Sequence, residues 1–174
     1  MTEIYGVTGM PLSGKTSVAE IMEKHGYTKV DMGDVVRDEM EKRGIDVSET
    51  GAFVNRMREE NGMDAIAGLT IPYLEDLESE KIVITGMRGW SEKQRFEEEM
   101  DSGIRVIAVW SGRETRRERM GERKREEDIQ GQEFHERDLR EIENGVGKLI
   151  ALSSHLIKNE GTTSELERKV KKLV

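Results

Sequence analysis

Residues 9–16 read GMPLSGKT, between an apolar stretch, TEIYGVT at residues 2–8, and KTSVAEIMEKH at residues 15–25, whose apolar positions recur at helical spacing. The eight residues satisfy GxxxxGK[ST], the phosphate-binding loop pattern, in the strand–loop–helix setting that the pattern requires. Gly9 and Gly14 lack the Cβ atoms that would keep the backbone from curling round phosphate oxygens, and Met10, Pro11, Leu12 and Ser13 complete the cradle between them. Lys15 supplies a mobile positive charge for the β- and γ-phosphates. The Thr16 hydroxyl is placed to ligate Mg²⁺, and the helix that begins here turns its positive dipole end toward the same anion. The segment predicts a nucleoside triphosphate site.

The rest of the composition narrows the class. A chain of 174 residues suits one domain, with interior enough for a central sheet covered by helices on both faces. The net charge of −8 gives no global attraction to nucleic acid or anionic lipid, so an anion has to be held by a local basic cluster. With no cysteine there is no disulfide, thiolate nucleophile or Cys-based metal site. His25, His135 and His155 show no metal-ligand spacing. No apolar run approaches the roughly 20 residues that span a bilayer, and no signal peptide is visible, so the expected location is the cytoplasm.

Strand and helix patterns alternate along the chain. After the first strand and helix come a short strand at residues 27–32 and a helix at residues 33–43 closed by Gly44. Residues 48–80 read as wholly helical, with Pro72 expected to kink the last helix or mark its first turn. Lys81–Thr85 (KIVIT), Ile104–Trp110 (IRVIAVW) and His155–Lys158 (HLIK) are further strands. Ser91 with Gln94, Ser111 with Glu114, and Ser164 with Glu167 are expected to open helices as capping boxes, and residues 133–144 and 146–153 are also helical. Strands without a nearby hairpin partner imply an α/β fold with a parallel sheet and right-handed crossovers.

Arginines at the ends of these elements are the second signal, because phosphoryl transfer needs positive charge around a spreading negative charge more than it needs covalent help. Arg37 follows Gly33-Asp34, Arg88 sits in the turn after a buried strand, Arg119 and Arg123 lie on a polar helix, and Arg137 and Arg140 lie on the next. Ligand crevices in open parallel sheets lie at the carboxyl ends of the strands, which favours Arg88. Arg37 also reads as a solvated helix residue. The run RETRRERMGERKREED at residues 113–128 also reads as a solvated helix laced with i,i+4 ion pairs.

The order GMPLSGKT, then MGDVVR at residues 32–37, TGMRG at residues 85–89, the arginine-rich run and KNEGT at residues 158–162 resembles nucleoside monophosphate kinases nearly end to end. More closely, with EENGMDAIAG at residues 59–68, it resembles a little-characterised archaeal family of adenylate-kinase-related, dephospho-CoA-kinase-like phosphate-loop proteins. The resemblance implies a five-stranded parallel core in a single domain, residues 1–174, with a helical acceptor-binding insertion at about residues 38–80 and a lid at about residues 118–131. It implies that Asp34, Arg37 and Arg88 hold a phosphorylated acceptor, that Arg119 and Arg123 are lid residues reaching ATP, and that Arg137 or Arg140 spans both phosphate chains. Asn159 and Gly161 would pass beside the donor base. The chain departs from that family at Thr85, where an Asp usually supports the hydrated Mg²⁺, leaving Asp31 or Asp34 as substitutes. Arg116, Arg117 and Arg125 are further arginines in the lid run.

The function expected is transfer of the γ-phosphoryl group of ATP to a small phosphate-bearing acceptor such as a nucleoside monophosphate, with Mg²⁺. A dephospho-CoA-kinase-like transfer to a hydroxyl, with Asp31 or Asp34 as base, is the alternative enzyme. A nucleotide-dependent switch or slow ATPase is the alternative from another class. Neither a membrane nor a nucleic acid is expected as partner.

Overall fold

A computed structural model describes residues 2–100, 102–122 and 131–174. Five parallel strands form one sheet: β1 (Glu3–Thr8), β2 (Thr28–Asp31), β3 (Lys81–Thr85), β4 (Ile104–Trp110) and β5 (His155–Lys158), in the order β2-β3-β1-β4-β5. The expected α/β class and sheet are therefore present. β1 lies at the centre, and the chain runs to β2 and β3 on one side of it and to β4 and β5 on the other. That reversal places a crevice at its carboxyl end, directly before the phosphate loop.

Successive strand residues point to opposite faces, so each central strand feeds two cores. Ile4, Ile82, Ile84 and Ile104 pack with α2 (Met32–Lys42), α3 (Thr50–Asn61), α4 (Ala65–Glu75), α5 (Trp90–Glu99) and α8 (Val146–Ala151). Tyr5, Val7, Val83, Ile107 and Val109 pack under α1 (Lys15–Lys24) and α9 (Thr163–Lys171). Burial on both sides is why these strands read as continuous apolar runs rather than as alternation. The remaining helices, α6 (Arg113–Glu122) and α7 (Gly131–Glu143), flank the phosphate loop's outer side.

Several sequence expectations shift locally. Residues 48–80 are not wholly helical: a single 3₁₀ turn at Val47–Glu49 precedes α3, Gly62 ends α3 with a φ of 95°, and residues 76–80 lead out of α4 toward β3. Pro72 stands inside α4 on its exposed side, not in its first turn. The helix caps differ too. Glu92 accepts from the N–H groups of Arg88 (2.7 Å) and Gly89 (3.0 Å), so α5 opens two residues before Ser91. At α9 Thr162 and Glu165 form the capping box, two residues ahead of the expected Ser164 pair. The Ser111 hydroxyl instead donates to the Ser13 and Asn159 carbonyls, which draws it into the wall of the phosphate loop.

Candidate functional site

The loop after β1 has the backbone that its glycines predict. Gly9 has φ 150°, and a Cβ there would overlap the Val109 carbonyl oxygen; Gly14 has φ 101°, and a Cβ there would overlap the Asn159 amide. Leu12 adopts φ 65° without being glycine, a left-handed conformation that persists only where its surroundings impose it. Those surroundings are guanidinium groups. Arg116 donates to the Pro11 carbonyl at 3.3 Å, and Arg119 donates to the carbonyls of Leu12 (3.1 Å) and Ser13 (3.3 Å). Asn159 adds a bond from its side-chain amide to the Ser13 carbonyl at 2.8 Å, while its own carbonyl accepts from Arg119 at 2.7 Å and from Ser111. With the loop carbonyls held outward by these donors, its interior is left for backbone N–H groups, the arrangement that binds anions.

Lys15 opens α1 and folds back over the loop, donating to the carbonyls of Gly9 and Met10 at 2.9 Å each. Burial pushes its ammonium down to about 8; the Glu141 carboxylate opposes this, and the positive charges of Arg88, Arg137 and Arg116 add to it. Thr16, next on the helix, is exposed, and its hydroxyl makes no hydrogen bond among the described residues.

A second cluster stands at the carboxyl ends of β2 and β3. Asp31 caps α2, accepting from the Asp34 N–H at 3.1 Å through one oxygen and from the Thr85 hydroxyl at 2.6 Å through the other. Arg37 forms an ion pair with Asp34 and lies 4.0 Å from Asp31. Arg88, in the turn after β3, pairs with Glu141 on α7. Its backbone is anchored by Glu92, whose carboxyl is pushed up by burial and held in check by the Arg88 and Gly89 N–H groups and the charge of Arg58. Arg58 reaches from α3 to within 3.6 Å of Glu92 and donates to Asn144 at 3.1 Å, joining α3 to this turn.

The positive charges of Arg88, Arg137 and Arg116 thus act on Lys15 at the phosphate loop, while Asp31, Asp34, Arg37 and Thr85 form a cluster at the carboxyl ends of β2 and β3. Arg119 and Asn159 stand against the loop's outer carbonyls, and Gly161 lies in the turn that leads into α9. Arg140 is exposed on α7. Arg123, Arg125 and most of the lid expected at residues 118–131 lie outside the described residues. Sequence reasoning missed Glu141, Asp138, Arg58 and Glu92. Asp138 receives two bonds from the buried Arg116, at 2.6 and 2.8 Å. Phe134, Asp138 and Glu141 recur at helical spacing on the buried side of α7, a pattern that marks these two carboxylates as inward-facing.

A family described as "AAA domain" matches residues 8–136. A UPF0200 protein of Methanothermobacter thermautotrophicus is 41% identical over 172 residues, covering 98% of this chain and 88% of that protein. One from Thermococcus gammatolerans is 39% identical over 174 residues, covering 97% and 92%. The chain belongs to the AAA-domain phosphate-loop proteins and, within them, to the archaeal UPF0200 family. Among solved structures, TT1252 from Thermus thermophilus superposes with a TM-score of 0.71 at 19% identity, covering 99% of this chain and 96% of that one. Shikimate kinase from Bacteroides thetaiotaomicron superposes with 0.66 at 15% identity, covering 98% and 97%. Both share the fold. Among the described residues, no helix is long and apolar enough to cross a membrane.

Proposed function

We propose that this protein is an ATP-dependent small-molecule kinase that moves the γ-phosphoryl group to a phosphate-bearing acceptor, with a nucleoside monophosphate as the model substrate. The observation that carries this reading is that positive charge from three further elements acts on Lys15: Arg88 from the turn after β3, Arg137 from α7 and Arg116 from α6, of which Arg116 is committed to Asp138 and Arg88 stays 45% exposed. A site for one triphosphate needs the loop and its lysine; arginines brought in from the acceptor side match a second phosphate group and the charge that develops between donor and acceptor. In this reading residues 9–16 hold the ATP phosphates, Asp34, Arg37 and Arg88 face the acceptor, and the helices within residues 38–80 enclose it. Arg119, with Asn159 and Gly161, borders the donor nucleoside.

The unengaged Thr16 hydroxyl fits Mg²⁺, which takes few protein oxygens when phosphates and water supply the rest. Thr16 would hold the ion directly and Asp31 through water, and the ion would neutralise charge on the transferring group.

The fates of the two aspartates favour a phosphate acceptor over an alcohol. Asp31 is engaged by the α2 cap and the Thr85 hydroxyl, and Asp34 by Arg37, so taking a substrate proton would compete with an existing contact at either one. A phosphate acceptor, whose second pKa is about 6, is ionised near neutral pH and needs no base. The test is steady-state ATP consumption with a panel of nucleoside monophosphates, with dephospho-CoA as the hydroxyl acceptor. ADP should form in proportion to one monophosphate added. ATP hydrolysis at one slow rate whatever is added would replace this reading with that of a nucleotide switch, and consumption driven by dephospho-CoA alone would replace it with hydroxyl transfer.

A further inference from the structure

The carboxylate of Glu141 is placed where a kinase of this kind has no evident use for negative charge. It is buried on α7, with its side chain 11% exposed, and it is the one ion-pair partner of Arg88 among the described residues. It is also the charge that most favours the protonated form of Lys15. Without ligand, it offsets the cations that the site has gathered.

The neighbouring contacts show that Glu141 is not what holds these elements in place. The turn carrying Arg88 is fixed through its backbone by Glu92, and α7 is docked by the paired bonds between Arg116 and Asp138 and by Phe134, against which Arg113, Arg116 and Arg117 lie at 5.2–5.8 Å. The Arg88 guanidinium remains 45% exposed, open to an anion on its free side. The pair can therefore part with little change in the backbone around it.

We propose that Glu141 is an acceptor-selectivity residue: its carboxylate occupies Arg88 until an anion of higher charge displaces it, so the site admits a dianionic phosphate and turns away carboxylates and neutral alcohols. This inference rests on the reading of Arg88 as an acceptor-phosphate arginine. A phosphate dianion outcompetes a carboxylate because it brings more charge and three acceptor oxygens to the guanidinium fork. A ligand with one charge or none gains too little to break the existing pair.

The test is a titration with inorganic phosphate at fixed pH and ionic strength, read by calorimetry, for the native chain, Glu141→Gln, Arg88→Met and the double variant. Removing the internal competitor in Glu141→Gln should tighten phosphate binding by about two- to fivefold, the scale of a part-exposed ion pair. The gain should vanish in the Arg88→Met background, which separates this site from phosphate held by the loop. Glu141→Asp, which keeps the charge but retracts it, should give a smaller gain and serves if the Gln variant fails to fold. Unchanged or weaker binding in Glu141→Gln would show that the carboxylate positions Arg88 instead, and a gain that survives without Arg88 would place the effect elsewhere; either overturns the proposal. Failure of the kinase reading itself would show separately, as ATP consumption that no acceptor accelerates.

Discussion

The Thr85 hydroxyl donates to Asp31 at 2.6 Å, joining the carboxyl ends of β3 and β2 beside the phosphate loop. Where the resemblance to nucleoside monophosphate kinases leads one to expect a carboxylate on the third strand, this chain has a hydroxyl bonded to a carboxylate on the second. This settles the sign expected for restoring the family residue. Thr85→Asp sets two carboxylates against one another, and one of them takes a raised pKa. An acid whose folded pKa lies above its unfolded value of about 3.9 costs stability progressively as pH rises from that value through the folded one. The variant should melt close to the native chain at pH 4, well below it at pH 7, and bind Mg²⁺·ATP less tightly. Thr85→Val, which only removes the bond, should cost about 1 kcal/mol. Tighter Mg²⁺·ATP binding by Thr85→Asp would mean that the two side chains do not share a site in solution.

Lys15 gives a prediction that needs no substrate. Its ammonium is held at about 8, against 10.5 when unperturbed, so the unfolded chain binds more protons between these values. The lysine's burial therefore costs stability below pH 8, and that cost is relieved as pH rises toward 10.5. Lys15→Met should fold, lose ATP binding, and fail to show this rise in stability relative to the native chain. Polyphosphate binding should restore the ammonium, taking up about half a proton at pH 8. Calorimetry in two buffers of different ionisation enthalpy reads that uptake, and none would mean that the ligand does not meet Lys15.

The bonds between Arg116 and Asp138 should be worth most where they are hardest to replace. Both side chains are nearly buried, at 5% and 8% exposure, so Asp138→Ala strands a guanidinium under the loop and should cost about 3 kcal/mol. Because Arg116 also supports the Pro11 carbonyl, ATP should bind more weakly in a variant that still folds. Chemical denaturation and ATP titration of the same preparation check both. Loss of stability with unchanged affinity would confine the pair to packing.

What the sequence revealed and what it hid divide along the range of the interactions. The phosphate loop was legible because Gly9, Gly14, Lys15 and Thr16 act through local backbone geometry, and the three central strands because burial on both faces leaves apolar runs such as KIVIT and IRVIAVW. Cap positions slipped because hydroxyls and carboxylates recur every few residues: Ser111 fits a capping box in sequence, yet its place beside Asn159 gives it another partner. The ring around the site was hidden for a different reason. Arg116 meets a carboxylate 22 positions away and Arg88 one 53 positions away, and within a run of alternating charges Arg116 looks like any solvated helix residue.

The aspartates at the end of β2 decide the acceptor class. Asp31→Asn keeps an oxygen for the α2 cap and another polar atom for Thr85, and Asp34→Asn removes only an exposed pairing with Arg37, so both variants should fold. If the acceptor is a phosphate, no proton has to be removed, and each change should lower turnover modestly, within about tenfold. If it is an alcohol, the variant that loses the base should fall by about 10²-fold or more, since general bases contribute 10²–10⁴. Nucleotide binding and acceptor affinity should stay near native in that variant. Initial rates with the acceptor identified by the panel, alongside calorimetric ATP affinity, separate the two. A drop of that size in one variant with binding intact would overturn the phosphate-acceptor reading and assign that aspartate as the base.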